Sequence, residues 1–325
     1  MKKYINDICE RVIDGGEILF QEALKLICIE DGRDCDELEK AGHRVLHSFC
    51  GDKCDLCSLV NAKSGLCSED CAFCAQSIHY ESGVKEYPFL DCDEIVRRAK
   101  EVESMGAHRF CIVTSGKQLE GEDFKKVLDA FRAIKEKTNL KLDGSLGILD
   151  DERIQLLKDA GVTRINHNLE TSERFFPSIC STHTFSDRYN TVKRLKQSGI
   201  EVCSGGIIGL GEELSDRISL AFSLKDLGAE CVPVNILNPR PGTPLEGVEK
   251  LSAREIIKTI AVFRLILPRV VIKIAGGREV NLGDAQADAL RSGANGIIIG
   301  GYLTTKGNAF EKDLALVHSA GLRVG

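Results

Sequence analysis

The sequence predicts an α/β fold, a (β/α)8 TIM-type barrel behind an N-terminal helical extension, and three observations predict it. From about residue 58, eight short runs rich in β-branched residues alternate with amphipathic stretches, the order a parallel barrel needs. No Gly-rich dinucleotide turn follows the first run, which disfavours the alternative architecture, an open doubly wound sheet. No linker, low-complexity tract or internal repeat divides the 325 residues, so the barrel is expected over residues 58–325, with residues 1–57 as the extension.

The expected strands are 58–65, 108–115, 140–147, 163–170, 200–209, 230–237, 270–275 and 295–300. Between them the apolar period lengthens. Ile95, Ala99 and Val102 recur at i, i+4 and i+7, and the helix over 151–160 turns Ile154 and Leu157 inward before stopping at Gly161, a residue suited to the helix C-terminus. Strand alternation then gives the barrel an unusual axis. Asn166, Asn168 and Glu170 share one face and Ile165 and Leu169 the other, so His167 reads as outward and structural. Lys141, Asp143 and Ser145 oppose Leu142 and Leu146, and Lys273 opposes Ile272 and Ile274. Ordinary barrels fill the axis with Val, Ile and Leu. Unpartnered amides and charges there would cost several kcal/mol, so the axis is expected to hold a bound polar object.

Charge and composition narrow the function classes. With 43 Lys+Arg against 49 Asp+Glu the net charge is −6, which lacks the basic field of a nucleic-acid or anionic-membrane surface. The most apolar stretch, 260–277, is broken by Arg264, Pro268, Arg269 and Lys273, short of the ~20 apolar residues of a membrane span. Met1-Lys2-Lys3 is soon followed by Asp7, Glu10 and Arg11, not by the apolar core of a signal peptide, so a cytoplasmic protein is expected. Fourteen cysteines in such a chain point to metal or redox chemistry rather than a disulfide scaffold. Cys9, Cys28, Cys35, Cys92, Cys180 and Cys231 are scattered and read as small core residues.

Two cysteine motifs stand apart. Cys67-Ser-Glu-Asp-Cys71-Ala-Phe-Cys74, C-x3-C-x2-C, directly follows the first strand, at the C-terminal mouth where barrel enzymes place their chemistry. Three thiolates can hold three corners of a [4Fe–4S] cluster and leave one iron open, whereas a ferredoxin supplies a fourth Cys. A structural zinc completed by His79 is the competing reading. Cys50-Gly-Asp-Lys-Cys54-Asp-Leu-Cys57 repeats the spacing just before the first strand, at the barrel floor, and suggests a second cluster or else an independent zinc or surface thiols. Cys111 and Cys203 sit mid-strand with inward parity, either core residues or ligands. The glycines of 205–211 match neither a P-loop nor a dinucleotide fingerprint and are read as letting a ligand approach a strand end.

The loop Asn61-Ala62-Lys63-Ser64-Gly65-Leu66-Cys67-Ser68-Glu69-Asp70-Cys71-Ala72-Phe73-Cys74 resembles the signature of radical S-adenosylmethionine enzymes, and within them the biotin synthase family. The likeness continues through Arg109-Phe110-Cys111, the run Asn166-His167-Asn168-Leu169-Glu170-Thr171-Ser172, Cys203-Ser204-Gly205-Gly206, Gly209-Leu210-Gly211-Glu212, Asn235 and Gly277-Arg278-Glu279, over roughly residues 58–305. The resemblance implies a (β/α)8 barrel in which Cys67, Cys71 and Cys74 hold a [4Fe–4S] cluster chelated by S-adenosylmethionine. An electron from a flavodoxin- or ferredoxin-type donor would yield a 5′-deoxyadenosyl radical that takes hydrogen from dethiobiotin. Sulfur from an auxiliary iron–sulfur cluster would then close the biotin ring. It further implies a homodimer, with Asn168 and Glu170 on the ribose and substrate, Asn235 on the substrate, and Ser115 and Gly205 beside them. The family often carries Asp where Glu170 stands, which preserves the acceptor.

The auxiliary site departs from that family. Its ligands are commonly three barrel cysteines and an arginine; Cys111 and Cys203 match two of these, but the third position is Asp143 and the arginine position is Lys273. A protonated lysine cannot ligate, and carboxylate is a harder ligand than thiolate. Replacement thiolates from Cys50, Cys54 and Cys57, joined by Cys111 or Cys203, are therefore expected, with a cluster of a different type. Another radical S-adenosylmethionine enzyme, such as a cofactor maturase or an amino-acid mutase, shares the upper motif and is the alternative function. A non-catalytic iron–sulfur protein and a zinc module remain behind it.

Overall fold

The computed structural model describes residues 1–305 and 307–325. Three helices come first: α1 (Lys2–Ile13), α2 (Phe20–Ile27) and α3 (Gly32–Cys50). Asp31 caps α3 by accepting from the backbone N–H groups of Arg33 and Asp34 at 2.9 and 3.1 Å. Helix α3 packs on the helix Ala253–Ile266 and runs against the 292–293 turn so tightly that a Cβ on Gly42 would meet the Ser292 carbonyl oxygen at 2.1 Å. The extension thus packs onto the outer helical ring of the barrel.

The barrel strands are β1 (Lys53–Lys63), β2 (Arg109–Thr114), β3 (Lys141–Ser145), β4 (Val162–Asn166), β5 (Glu201–Cys203), β6 (Gly206–Ile208), β7 (Cys231–Ile236), β8 (Val271–Ile274) and β9 (Gly296–Ile299). All pair in parallel, and β1 closes the ring on β9 from Asp55↔Gly296 to Ser58↔Ile299. A short β10 (Arg323–Val324) adds to the outer end of β1. The outward positions Leu56, Phe110, Leu142, Ile165, Val202, Val232, Ile272 and Ile297 are buried under the helical ring. Each aliphatic side chain so buried contributes roughly 1.5–3 kcal/mol. Among the described residues no helix is long and apolar enough to cross a membrane.

Three differences from the sequence expectation matter for the site. First, β1 begins at Lys53, so the boundary expected at residue 57 falls inside the strand. Second, the expected strand 200–209 is two pieces, β5 and β6, separated by Ser204 and Gly205. Pro233 on the neighbouring β7 has no N–H for the ladder, and the Gly205 carbonyl instead accepts from the N–H groups of Leu169 and Glu170. Third, β4 stops at Asn166, and the chain turns at Glu170, whose φ of +70° lies in the left-handed region. Period-two alternation therefore ends before residue 167.

Candidate active site

The inward parity runs around the whole ring: Asp55, Cys57 and Leu59 on β1, Arg109, Cys111 and Val113 on β2, Asp143 and Ser145 on β3. It continues with Arg164 and Asn166 on β4, Cys203 on β5, Cys231 and Asn235 on β7, and Lys273 on β8. At the floor these charges satisfy one another. Asp143, with no exposed surface, accepts from Arg109 at 3.0 Å and from Arg164 at 2.8 and 2.5 Å. Lys273 sits 2.6 Å from Asp55, and the far guanidinium edge of Arg109 reaches Glu201 at 2.8 Å. The polar axis thus only partly needs a ligand, because at this level salt bridges replace one. Asp143 and Lys273, which hold the positions of the missing auxiliary ligands, are occupied by these pairs. Although burial opposes it, Lys273, Arg164 and Arg109 hold the Asp55 carboxyl down to about 2.

Above the charges lies a layer of thiols, and it is not the set expected. Cys57 is inside the barrel, packed in one cluster with Cys111 and Val113. Cys54, three residues earlier on the same strand, faces the opposite way into the main core, where burial pushes its thiol up to about 12. Cys50 ends α3, with its sulfur 3.5 Å from the Arg264 guanidinium and 3.7 Å from the Pro268 carbonyl oxygen, outside the barrel. The expected Cys50/Cys54/Cys57 set is therefore split three ways, because its spacing lies across a helix end and a strand rather than in one loop. Cys203, expected, faces Cys231, which had read as a core residue. The two are register partners on neighbouring β5 and β7, both with inward parity. Against burial, the neighbouring Cys203 and the cations Lys273 and Arg164 pull the Cys231 thiol down. The signal was available: Cys231 has the parity of Asn235.

At the mouth, the chain leaves β1 and carries Cys67, Cys71 and Cys74 over the barrel. Backbone bonds pin this loop, from Cys67 N–H to the Gln76 carbonyl at 3.0 Å and from Cys74 N–H to the Cys71 carbonyl at 2.9 Å. The sulfurs of these three cysteines do not all lie within 4.8 Å of one another, which is too dispersed for one ion. Burial keeps the Cys74 thiol up at about 11, so cluster binding must displace protons. His79 turns its ring to the Ser68 carbonyl oxygen, 3.0 Å away, and not to the thiols.

A cavity of about 440 Å³ runs from this loop to the floor, reaching Cys67, Cys71 and Cys74 at one end and Cys57, Cys111 and Cys203 at the other. Its middle is lined by Ser115, Asn168, Glu170 and Asn235. Asn168 uses its carbonyl oxygen to accept from Gly205 N–H at 3.2 Å and donates to Glu170 at 3.4 Å. Burial pushes the Glu170 carboxyl up, while Arg188, 3.5 Å away, pulls it down. Asn235 bridges Gly206 and Gly276 at 3.2 and 3.0 Å. Two expectations change. Gly205 does not admit a ligand: a Cβ there would meet the Pro233 carbonyl oxygen at 2.0 Å, so it serves strand packing and holds Asn168. His167 lines the cavity rather than facing outward, since β4 has ended, and burial keeps its ring neutral.

The donor sets thus suit two iron–sulfur clusters at opposite ends of one cavity, and known proteins place the chain accordingly. Residues 63–224 match the radical SAM superfamily and residues 233–323 the biotin and thiamin synthesis associated domain. The fold resembles methylornithine synthase (TM-score 0.87, 20% identity, 98% of this chain and 97% of that one). It also resembles HydG, a maturase of the [FeFe]-hydrogenase (TM-score 0.85, 16% identity, 99% and 75%). Closer in sequence are the biotin synthases of Pelotomaculum thermopropionicum, 49% identical over 98% of this chain and 99% of that one, and Clostridioides difficile, 46% identical over the full length of both. Identity of that extent, over a barrel with these two thiol layers, makes the chain a member of the biotin synthase family of radical S-adenosylmethionine enzymes.

Proposed function

We propose that this enzyme inserts sulfur into dethiobiotin to form biotin, using a [4Fe–4S] cluster with S-adenosylmethionine at the mouth and an auxiliary iron–sulfur cluster at the floor. One observation carries the reading: thiols gather at both ends of a single cavity whose middle is lined by amides and a carboxylate. Cys67, Cys71 and Cys74 hold the upper cluster. Cys57, Cys111, Cys203 and Cys231 hold the lower one, four thiolates where the family commonly has three and an arginine. When bound, the upper cluster and S-adenosylmethionine supply a radical able to take hydrogen from an unactivated C–H bond.

The chain's own residues position and shield. Glu170 accepts from ribose hydroxyls and is braced by Arg188 and Asn168. Asn168 and Asn235, with backbone bonds fixing their rotamers, present amide edges to the substrate's polar ring. Ser115, donating to the Gly65 carbonyl at 2.7 Å, ties the barrel wall to the cluster loop. The barrel walls shield the radical from water and stray hydrogen donors over the depth of the cavity. The enzyme works as a cytoplasmic homodimer and draws electrons from a flavodoxin- or ferredoxin-type donor. Anaerobic assay with dethiobiotin is the test: biotin and deoxyadenosine together are expected, whereas deoxyadenosine without biotin overturns the substrate assignment.

A further inference from the structure

We infer that Cys71, Cys180 and His183 form a second, mononuclear site for a soft divalent cation, Zn²⁺ above all, which the chain offers when the upper cluster is absent. Among the described residues these are three ligand atoms within 4.8 Å of one another, and all three side chains are buried. The two sulfurs are 3.8 Å apart and Cys180 Sγ is 3.3 Å from His183 Nδ1. Tetrahedral zinc with Zn–S near 2.3 Å requires a sulfur–sulfur edge of about 3.8 Å, so the pair stands at the spacing one ion needs. Oxygen is at hand for the fourth corner: Glu69 Oε2 is 2.5 Å from His183 Nδ1, and Asp70 Oδ1 is 3.3 Å from Cys180 Sγ. The carboxylates are themselves anchored, Glu69 by the Thr182 hydroxyl at 2.8 Å and Asp70 by the Ser181 N–H at 2.9 Å. Hydrogen bonds of this kind hold the ligands of a metal site in orientation.

Occupation has a cost that is visible in the hydrogen bonding. Arg188 Nε donates to His183 Nε2 at 2.9 Å, which leaves the ring proton on Nδ1. A cation at Nδ1 moves that proton to Nε2, and Arg188 must turn away toward Glu170, already 3.5 Å from its Nη1. The consequence for the enzyme rests on the reading that Cys71 is a cluster ligand. One sulfur cannot serve both sites, so zinc here and the [4Fe–4S] cluster exclude each other. Zinc binds such N/S donors more tightly than ferrous iron, which makes the cluster-free chain open to mismetallation through two residues that the cluster itself does not need.

The full-length, cluster-free chain with one equivalent of Zn²⁺ gives the direct test. X-ray absorption at the zinc edge should report two sulfurs, one imidazole nitrogen and one oxygen, and three or four sulfurs without imidazole would overturn the site. In parallel, zinc present during anaerobic reconstitution should slow growth of the cluster absorbance several-fold in the wild type but not in Cys180→Ala or His183→Gln. Equal inhibition in all three chains means that zinc is held by other thiols and defeats the inference. A two-sulfur, one-imidazole zinc site that leaves wild-type assembly unimpeded would instead count against Cys71 as a cluster ligand. The absorption measurement needs no variant, so a substitution that fails to fold does not shelter the idea.

Discussion

The mouth and the floor of the barrel both collect cysteines, yet they do so by different physical means. At the mouth, three thiols lie on one eight-residue loop, and backbone hydrogen bonds within that loop orient them. At the floor, four thiols come from four separate strands, and only closure of the barrel brings them together. The mouth is partly exposed, with Cys67 and Cys74 half-buried. The floor is fully enclosed over a lattice of ion pairs, with Asp143 between Arg109 and Arg164 and Lys273 on Asp55. A local motif can thus be assembled by a few turns of chain, whereas a distributed one inherits its geometry from the fold.

That contrast is broken most sharply at the mouth. Cys74→Ala should abolish both deoxyadenosine and biotin formation, because two thiolates no longer hold the upper cluster; an anaerobic turnover assay with product chromatography measures both. Cys231→Ala should separate the two ends: the upper cluster and S-adenosylmethionine cleavage persist while biotin formation is lost. Iron and sulfide content with Mössbauer spectra would locate the deficit. If Cys231→Ala kept its full iron content and biotin yield, the four-thiol floor would be excluded.

The ion lattice under the floor makes the next largest effect one of stability. Asp143→Ala leaves Arg109 and Arg164 buried without their shared carboxylate, and breaking a buried pair from one side costs about 3–5 kcal/mol. Urea unfolding of the cluster-free chain reads it. Asp55 adds a pH signature of smaller size. Its folded pKa, about 2, lies below the ordinary 3.8, so it stabilises the fold fully above the ordinary value, and that contribution fades as pH falls toward 2. The shift corresponds to roughly 2–3 kcal/mol at neutral pH. Unfolding free energies compared between pH 6 and pH 3 should fall less steeply in Asp55→Asn than in the wild type.

Most of the fold was legible because eight β-branched runs and the Gly161 helix stop are local signals. The mouth was legible for the same reason: C-x3-C-x2-C needs no tertiary information. The floor was only half legible. Cys111 and Cys203 announced themselves through mid-strand parity, but Cys231 was passed over although Asn235, four residues on, fixed its direction. Conversely, the repeated spacing of Cys50, Cys54 and Cys57 does not make one site, because α3 ends and β1 begins within it. Cys180 carried no sequence signal; only the packing of the 180–183 turn against the cluster loop brings it to Cys71. His167 and Gly205 differ from the expectation for two further reasons, the early end of β4 and the missing N–H of Pro233, which both interrupt the regular ladder on which alternation depends.

The mildest substitution is also the cleanest discriminator between spacing and direction. Cys54 and Cys57 belong to the same motif, yet the first faces the helical layer and the second the cavity. Cys54→Ser should leave the auxiliary-cluster absorption and the biotin yield intact. It should cost only about 1–3 kcal/mol of stability, because a hydroxyl replaces a thiol in an apolar setting without a ready partner. Cys57→Ser should reverse the pattern, with the lower cluster lost and the unfolding free energy little changed, since serine there faces Asp143, whose carboxylate already lies 4.0 Å from the sulfur. The pair of variants therefore separates a ligand from its neighbour on the opposite face of one strand, and matching losses of cluster in both would make the second motif a single site.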